Sequence, residues 1–408
     1  MPPIRILHLH GRYYATGGAE TYVRALLAAQ RQQGHRAVLA YLDRPPSGIE
    51  ADGDFLPPSH GLRTALRHWP RYRDFCRAFA PDVIHLHGVQ YDLSPLLYPR
   101  LARIAPVLMT IHDTLGLCFK PARSHTLEDS ARVLPDGSPC TTAVGLACVG
   151  RGCAAGIARI RGRRLPLSVL EVLGRRRAMR GTARQIVNSR FLREDLVRNG
   201  FRAGRIRVVR PPVAPPPPLP AAPEMRAGDA PVLLYVGRLA RIKGVFQLLE
   251  AMSTLAGQPW KLVMVGEGEA RAELAAAIRS RGLEARVAVL GPRPRGQMGR
   301  YYTAADVLVL PSLCPESWGL VGPEAMSFGL PVVAYASGAI PEWLSEGETG
   351  RLVPPGDVRA LAAAIGGLLA DPGLRRRLGA AARRRAQAWS AADHVAAVDA
   401  VYAELIGA

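Results

Sequence analysis

Leu313-Cys314-Pro315-Glu316-Ser317-Trp318-Gly319-Leu320-Val321-Gly322-Pro323-Glu324-Ala325-Met326-Ser327-Phe328-Gly329-Leu330-Pro331 is the stretch from which the rest of the chain can be read. It follows Val307-Leu308-Val309-Leu310, an apolar run of the kind that forms a strand buried on both faces. Pro323 suits a first helical turn, where its missing N–H costs nothing, and Gly329 suits the stop. Glu316 therefore falls in the loop at the strand's carboxyl end and Glu324 in the first turn of the next helix. Amides near Gly319, Leu320 and Val321 have no intrahelical partner there and can hold an anion. A phosphate seat with a carboxylate on either side, each accepting from hydroxyls, suits a nucleotide sugar.

At 408 residues the chain exceeds what one hydrophobic core usually supports, so two domains are expected. Its 48% hydrophobic and 6% aromatic content fits an α/β protein rich in Ala, Val and Leu. No run of about 18 apolar residues occurs to span a bilayer. Met1-Pro2-Pro3 leads directly into the strand pattern Ile4 to Leu9 rather than a signal-peptide pattern, so a cytoplasmic location is expected. A formal charge of +20, carried mostly by Arg, admits nucleic acid, an anionic membrane surface or an acidic small substrate as partner. No stretch resembles a nucleic-acid-binding motif, so no nucleic-acid partner is expected. An Arg-rich composition and a patch peripheral on the inner face of the cell membrane both stay open.

Upstream, the first strand runs into Gly17-Gly18 just before a helical pattern. Such a pair is either a plain turn or a place where the backbone approaches phosphate or sugar, and the third glycine of a dinucleotide fingerprint is missing. After a strand at Ala37 to Leu42, Asp52-Gly53-Asp54 sits among prolines and reads as a solvated turn. From Leu62 to Phe79, the spacing of Trp69, Tyr72, Cys76 and Phe79 predicts an amphipathic helix packed on a sheet, with a membrane-surface helix as the alternative. His85 and His87 share one face of a strand and, without Cys or carboxylate at ligand spacing, read as structural. His112 follows the strand Val107 to Ile111, and the carboxyl end of a parallel strand is where open α/β sheets bind ligands. It is the foremost histidine for chemistry. Cys118, Cys140, Cys148 and Cys153 form either a structural zinc site or free thiols, disulfides being improbable in a reducing compartment. Arg159 to Arg184 reads as a basic helix, solvated or laid on anionic lipid, and strands at Gln185 to Ser189 and Ile206 to Val209 close the first half.

The proline run from Pro211 to Pro220 is the clearest boundary. Beyond it, strand patterns at Val232–Val236, Lys261–Val265, Val287–Leu290, Val307–Leu310 and Pro331–Ala334 alternate with helices, which calls for a parallel doubly wound sheet.

Val236-Gly237-Arg238-Leu239-Ala240-Arg241-Ile242-Lys243-Gly244 resembles the Gly-Arg…Lys-Gly segment of the retaining family 4 glycosyltransferases, glycosyltransferase group 1. Glu316 and Glu324 match that family's Glu-x7-Glu pair. Gly17-Gly18, His112-Asp113, Asn188-Ser189 and Gly338 to Glu342 fall in the expected order. The resemblance implies the α/β GT-B fold, two Rossmann-like doubly wound domains facing across a cleft. On that reading residues 1–210 form the acceptor-binding domain, 211–224 the linker, 225–390 the nucleotide-sugar domain, and 391–408 a helix crossing back to the first.

By resemblance, Arg238 and Lys243, with Gly237 and the amides of Leu320 and Val321, bind the donor diphosphate. A departing diphosphate gains negative charge that fixed cations stabilise, so the chemistry agrees. Glu324 would hold the ribose, and Glu316 the transferred sugar, with Ser317, Trp318 and Gly319 beside it. His112 would sit against that sugar, with Gly17 and Gly18 touching phosphate or sugar, and His112 and Glu316 would be the catalytic residues. The implied reaction moves a sugar from a nucleotide-diphosphate donor to a hydroxyl of a saccharide or lipid-linked acceptor, in cell-surface polysaccharide or glycolipid synthesis. No metal or other cofactor is implied. A sugar-nucleotide epimerase on the same fold and a non-catalytic sugar-nucleotide or polyanion-binding protein are the alternatives.

Overall fold

The computed structural model describes residues 2–11, 18–42, 53–59, 61–89, 92–112, 169–213, 215–225 and 228–407. These divide into two compact units, one drawn from residues 2–112, 169–211 and 392–407, the other from 212–391.

The first unit holds strands β1 (Arg5–His10), β2 (Arg36–Tyr41), β3 (Asp54–Phe55), β4 (Val83–His87), β5 (Val107–Ile111), β6 (Arg184–Val187) and β7 (Ile206–Val208). Its helices are α1 (Gly18–Gln32), α2 (Gly61–Phe79), α3 (Tyr98–Leu101), α4 (Val169–Arg180) and α5 (Arg190–Arg198). The strands form one parallel sheet in the order β3-β2-β1-β4-β5-β6-β7. Order reverses between β1 and β4, so the carboxyl ends of these strands frame the crevice where such sheets take ligands. Tyr72, Cys76 and Phe79 of α2 are buried against the sheet and Trp69 packs at their edge, so the apolar stripe of this helix is core. Asp54 is not in a turn: it opens the short edge strand β3, paired to β2 through Ala40. Asp52 lies outside the described residues, as do Gly17 and all four of Cys118, Cys140, Cys148 and Cys153.

The middle of this sheet is unusual in burying histidines. His8 on β1 is the register partner of His85 on β4, His10 that of His87, and His8, His85 and His87 are wholly enclosed. A buried polar group must find a partner, and here a chain of hydrogen bonds supplies them. Gln30 Nε2 donates to the Tyr402 hydroxyl at 3.1 Å. That hydroxyl lies 2.7 Å from His85 Nδ1, and His85 Nε2 lies 2.7 Å from Thr110 Oγ1. His8 Nε2 meets Gln30 Oε1 at 2.8 Å, and His8 Nδ1 meets His87 Nε2 at 3.0 Å. Neutral imidazoles satisfy the whole chain: Tyr402 can donate to His85, His85 to Thr110, His8 to Gln30 and His87 to His8. Burial accordingly pushes His8 down to about 4 and holds His85 and His87 well below the usual imidazole range.

The second unit holds β8 (Val232–Val236), β9 (Lys261–Val265), β10 (Val287–Leu290), β11 (Val307–Leu310), β12 (Val332–Tyr335) and β13 (Gly350–Val353). Its parallel sheet runs β10-β9-β8-β11-β12-β13, with the reversal between β8 and β11. Helices α6 (Val245–Thr254), α7 (Arg271–Ser280), α8 (Gly299–Ala304), α9 (Val321–Ser327), α10 (Ile340–Trp343), α11 (Val358–Ala370) and α12 (Pro372–Gln387) join the strands and flank them. Strands β11 and β12 are buried at every position, as their unbroken apolar sequence requires. After α12 the chain enters α13 (Ala391–Ile406), which belongs to the first unit and carries Tyr402.

The histidine network has a consequence for acid stability. Imidazoles held below their ordinary affinity for protons stay neutral in the native unit, whereas the unfolded chain protonates them below about pH 6.5. Stability therefore falls as pH falls, by about 1.4 kcal/mol per pH unit for each such histidine once the unfolded state is charged. The melting transition of the first unit is expected to drop steeply between pH 7 and pH 5, and that of the second unit much less. Trp69 is the first unit's tryptophan, so fluorescence melts with and without it separate the two. Parallel shifts in both units would count against the network.

Candidate active site

Two loops leave the second sheet at its point of reversal, one after β8 and one after β11. The first turns sharply: Tyr235 Oη donates to the Arg238 carbonyl at 2.7 Å, and Leu239 N donates to Glu267 O at 2.9 Å. Arg241 to Lys243 then form one 3-10 turn that ends at Gly244, with φ +71°. A side chain at Gly244 would run into the Pro311 carbonyl, so only glycine lets this loop lie against the one after β11. Amides of Leu313 and Cys314 donate to the Ile242 carbonyl at 3.0 and 3.1 Å and lock the two loops together.

That contact brings Lys243 to Glu316. Lys243 Nζ lies 2.6 Å from Glu316 Oε1, and Ser312 Oγ donates to the same oxygen at 2.6 Å. Burial pulls Lys243 toward the neutral form, but the Glu316 carboxylate outweighs it and its affinity for a proton rises well above the ordinary range. Burial would likewise raise Glu316; the Lys243 ammonium and the Ser312 hydroxyl reverse this and hold it below the usual carboxylate value. Glu316 is also pinned by its main chain, since its carbonyl accepts from Ala339 N at 2.8 Å. Gly338, at φ +65°, has no room for a side chain beside the Glu316 backbone. Arg238 is exposed in the same loop, close enough to oppose the charge of Lys243.

Helix α9 begins just after Gly319 (φ +77°). No side chain caps its N-terminus, and Gly322 N, bonded to Gly319 O at 2.9 Å, makes the first turn. The amides of Leu320 and Val321 precede the helix's own bonds. The end is braced from behind, because Trp343 packs against Gly322 and donates its Nε1 to the Trp318 carbonyl at 2.5 Å. The Trp318 side chain is 1% exposed and stacks edge-on with Trp389, so it belongs to the core and offers only its backbone to a ligand. Ser317 and Gly319 are partly exposed. Glu324, in the first turn of α9, is 8% exposed; Oε1 pairs with Arg295 Nη1 at 2.5 Å, and Oε2 accepts from Tyr302 Oη at 3.2 Å. Burial raises Glu324, and Arg295 with Tyr302 offsets this only in part.

Gly237, Arg238, Lys243, Glu316, Ser317, Gly319, Leu320, Val321 and Glu324 thus lie on two neighbouring loops and one helix start of the second unit. Ser312, Arg295, Tyr302 and Trp343 complete the cluster and are not marked by the sequence pattern, though Ser312 sits four residues before Glu316 where a strand has just ended. His112 lies in the first unit, at the carboxyl end of β5, its carbonyl accepting from Asn188 Nδ2 at 3.4 Å and its ring edge-on to Tyr22 at 5.0 Å. Burial, reinforced by His10 and His394, pushes it down to about 3, and its Nε2 has no partner among the described residues. Gly18 opens α1 in the same unit. Nitrogens of His8, His85 and His87 approach within 4.8 Å of one another, as metal ligands do, but the hydrogen bonds described above occupy five of their six ring nitrogens.

Residues 222–385 match the family described as Glycosyl transferases group 1, and residues 16–215 match Glycosyltransferase Family 4. A D-inositol 3-phosphate glycosyltransferase of Xylanimonas cellulosilytica is 36% identical over 250 residues, 57% of this chain and 60% of that one. An alpha-D-kanosaminyltransferase of Streptomyces kanamyceticus is 36% identical over 152 residues, 37% and 39% of the two chains. The chain therefore spans 60% or less of the length of these relatives. Among solved structures, sucrose-phosphate synthase of Thermosynechococcus elongatus superposes with a TM-score of 0.72 at 24% identity, over 99% of both chains. Anabaena HepE, solved with UDP and glucose, gives 0.68 at 19% identity, over 98% of this chain and 100% of that one. At these identities the likeness speaks for the fold, two Rossmann-like domains of the GT-B class.

Removing Lys243 would leave a largely buried, uncompensated carboxylate. Lys243→Met is expected to destabilise the second unit by about 3 kcal/mol at pH 7. Glu316, no longer held down, would take up a proton as pH falls toward 5, so the loss should shrink there. Adding Glu316→Gln should recover most of it. Urea unfolding checks this; a loss indifferent to pH and to the second substitution would mean that the pair's charge is not its cause.

Proposed function

The chain belongs to the family 4 glycosyltransferases of group 1, and from that premise we propose that it moves a sugar from a nucleoside-diphosphate donor to an acceptor hydroxyl, with retention at the anomeric carbon. The observation that carries this is the loop cluster of the second unit, where a lysine and two differently held carboxylates surround an uncapped helix start. Arg238 and Lys243 hold the diphosphate, Arg as a fork and Lys as a point charge. The Leu320 and Val321 amides add the helix-terminal field. When the glycosidic bond breaks, charge collects on the departing phosphate in front of cations that are already in place and need no rearrangement. Glu324 accepts from the ribose and Glu316 from the sugar hydroxyls. His112 takes part as a neutral imidazole, a donor or acceptor rather than a charge, which its suppressed protonation supports. The departing phosphate takes the acceptor proton on the same face.

For the acceptor, the first unit offers a basic surface with exposed apolar tips. Leu66 of α2 (49% exposed), Leu96 before α3 (44%) and Leu173 of α4 (39%) stand among exposed Arg63, Arg67, Arg71, Arg103 and Arg177. Arg100 of α3 caps the Trp69 ring of α2 at 5.7 Å, which makes these elements neighbours. Such a face suits an anionic bilayer and hence a lipid-linked acceptor, in glycolipid or cell-surface polysaccharide synthesis. No helix among the described residues is long and apolar enough to cross a membrane.

Lys243→Ala and Glu324→Ala are each expected to lower donor turnover by roughly a hundredfold or more. Thermal shift with UDP-, GDP- and ADP-sugars identifies the base, since a bound donor raises the melting temperature by mass action. NMR of the product reads its anomeric configuration. Wild-type rates in both variants would defeat the site, and an inverted product would defeat retention.

A further inference from the structure

Glu324 is held differently from Glu316. It is almost enclosed, on the first turn of α9, and among the described residues no lysine pairs with it. Its two oxygens are served separately: Tyr302 of α8, itself 1% exposed, donates to Oε2, and Arg295 approaches Oε1 from the turn Arg295–Gln297 that follows β10. These are the titratable or charged groups that face it among the described residues. The Arg295 side chain is 42% exposed, so its guanidinium stays partly hydrated while one nitrogen reaches inward.

We infer that Arg295, helped by Tyr302, is a positioning residue that keeps Glu324 ionised so that the carboxylate can accept both ribose hydroxyls of the donor. The inference rests on the ribose role proposed above for Glu324. An ionised carboxylate has about four lone-pair sites, two on each oxygen. Tyr302 takes one on Oε2 and Arg295 one on Oε1, which leaves one on each oxygen, the number a vicinal diol needs. A protonated carboxyl would turn one of those acceptors into a donor and lose a hydroxyl. Burial drives Glu324 toward that protonated form, as desolvation does to any carboxyl. The cation on Oε1 opposes it without filling the faces that the diol requires. Glycine follows Arg295 and proline precedes it, so the backbone sets where the side chain begins and the long side chain makes the reach.

The test is the pH dependence of nucleotide affinity. UDP, GDP and ADP are titrated into the full chain by calorimetry from pH 5.5 to 9, comparing wild type with Arg295→Met, Arg295→Lys, Tyr302→Phe and Glu324→Gln. Dividing each Kd by the wild-type value at the same pH removes the titration of the nucleotide's own phosphate. For Arg295→Met the ratio is expected near one at pH 9 and to climb steadily as pH falls toward 5.5, by at most about tenfold for each pKa unit by which the substitution raises Glu324. Tyr302→Phe should move the same way by less, and Arg295→Lys should restore the wild-type profile. Melting curves confirm that the variants fold. A ratio that is the same at every pH, or tighter binding by Arg295→Met, overturns the inference while leaving the ribose role intact provided that Glu324→Gln binds weakly. Wild-type affinity in Glu324→Gln, or no binding of any of the three nucleotides to wild type, overturns the ribose role and the inference with it.

Discussion

One ion pair decides the shape of the second unit's working face. Lys243 and Glu316 stand 73 residues apart in sequence on separate loops, and neither could be left where it is without the other. Two glycines make the pair geometrically attainable. Gly244 lets the loop after β8 lie on the Pro311 carbonyl, and Gly338 lets the chain before α10 close on the Glu316 backbone. The pair, the amide bonds of Leu313 and Cys314 to Ile242, and the bridge from Glu316 to Gly338 then join three strand-end loops into one rigid rim. A rim of this kind is the preorganisation that electrostatic catalysis depends on, since charges that must move into place during reaction help little.

The two glutamates of the Glu-x7-Glu pattern illustrate how location sets chemistry. Eight positions separate them, yet one shares a proton balance with a partly buried ammonium and the other with a half-hydrated guanidinium and a phenol. The first is driven firmly to the anion. The second is pulled toward neutrality by burial and only partly held back. Neighbouring carboxyls whose environments push them apart are the usual mark of divided labour in a site.

Much of this could be read in the chain itself, and the limits have physical causes. Unbroken apolar runs announce themselves, which is why the limits expected for β5, β8, β9 and β11 match those observed, and so do those of the edge strand β10, Val287-Ala288-Val289-Leu290. Strand β13 escaped because Gly350-Arg351-Leu352-Val353 offers no apolar run: a glycine and an arginine open it, and its two middle residues are partly exposed at the sheet's edge. The short edge strand β3 hid in the same way behind prolines and a pair of aspartates. Lys243, Glu316 and Glu324 were singled out by the resemblance of their segments to family 4 and by their place just beyond strand ends, and the structure puts them on adjoining loops and a helix start. Ser312, Arg295 and Tyr302 were not singled out, since they matter only through what they touch, and touching is settled by tertiary packing. Trp318, adjacent in sequence to Glu316 and Gly319, faces the core, a fact that proximity along the chain could not reveal.

The first unit's sheet draws its last polar partner from far downstream. Tyr402 on α13 lies 317 residues from His85 and 372 from Gln30, with the whole second unit between. During synthesis, the ribosome must therefore deliver β8 through α12 before His85 can find the hydroxyl that satisfies it. The second unit, whose described residues are contiguous in sequence, can close as it emerges, while the first waits open with part of its histidine core still wetted. An interrupted chain that stopped short of α13 would display a finished lobe and an unfinished one. Quality control would then meet that molecule at its amino-terminal half, although the missing piece is at the opposite end.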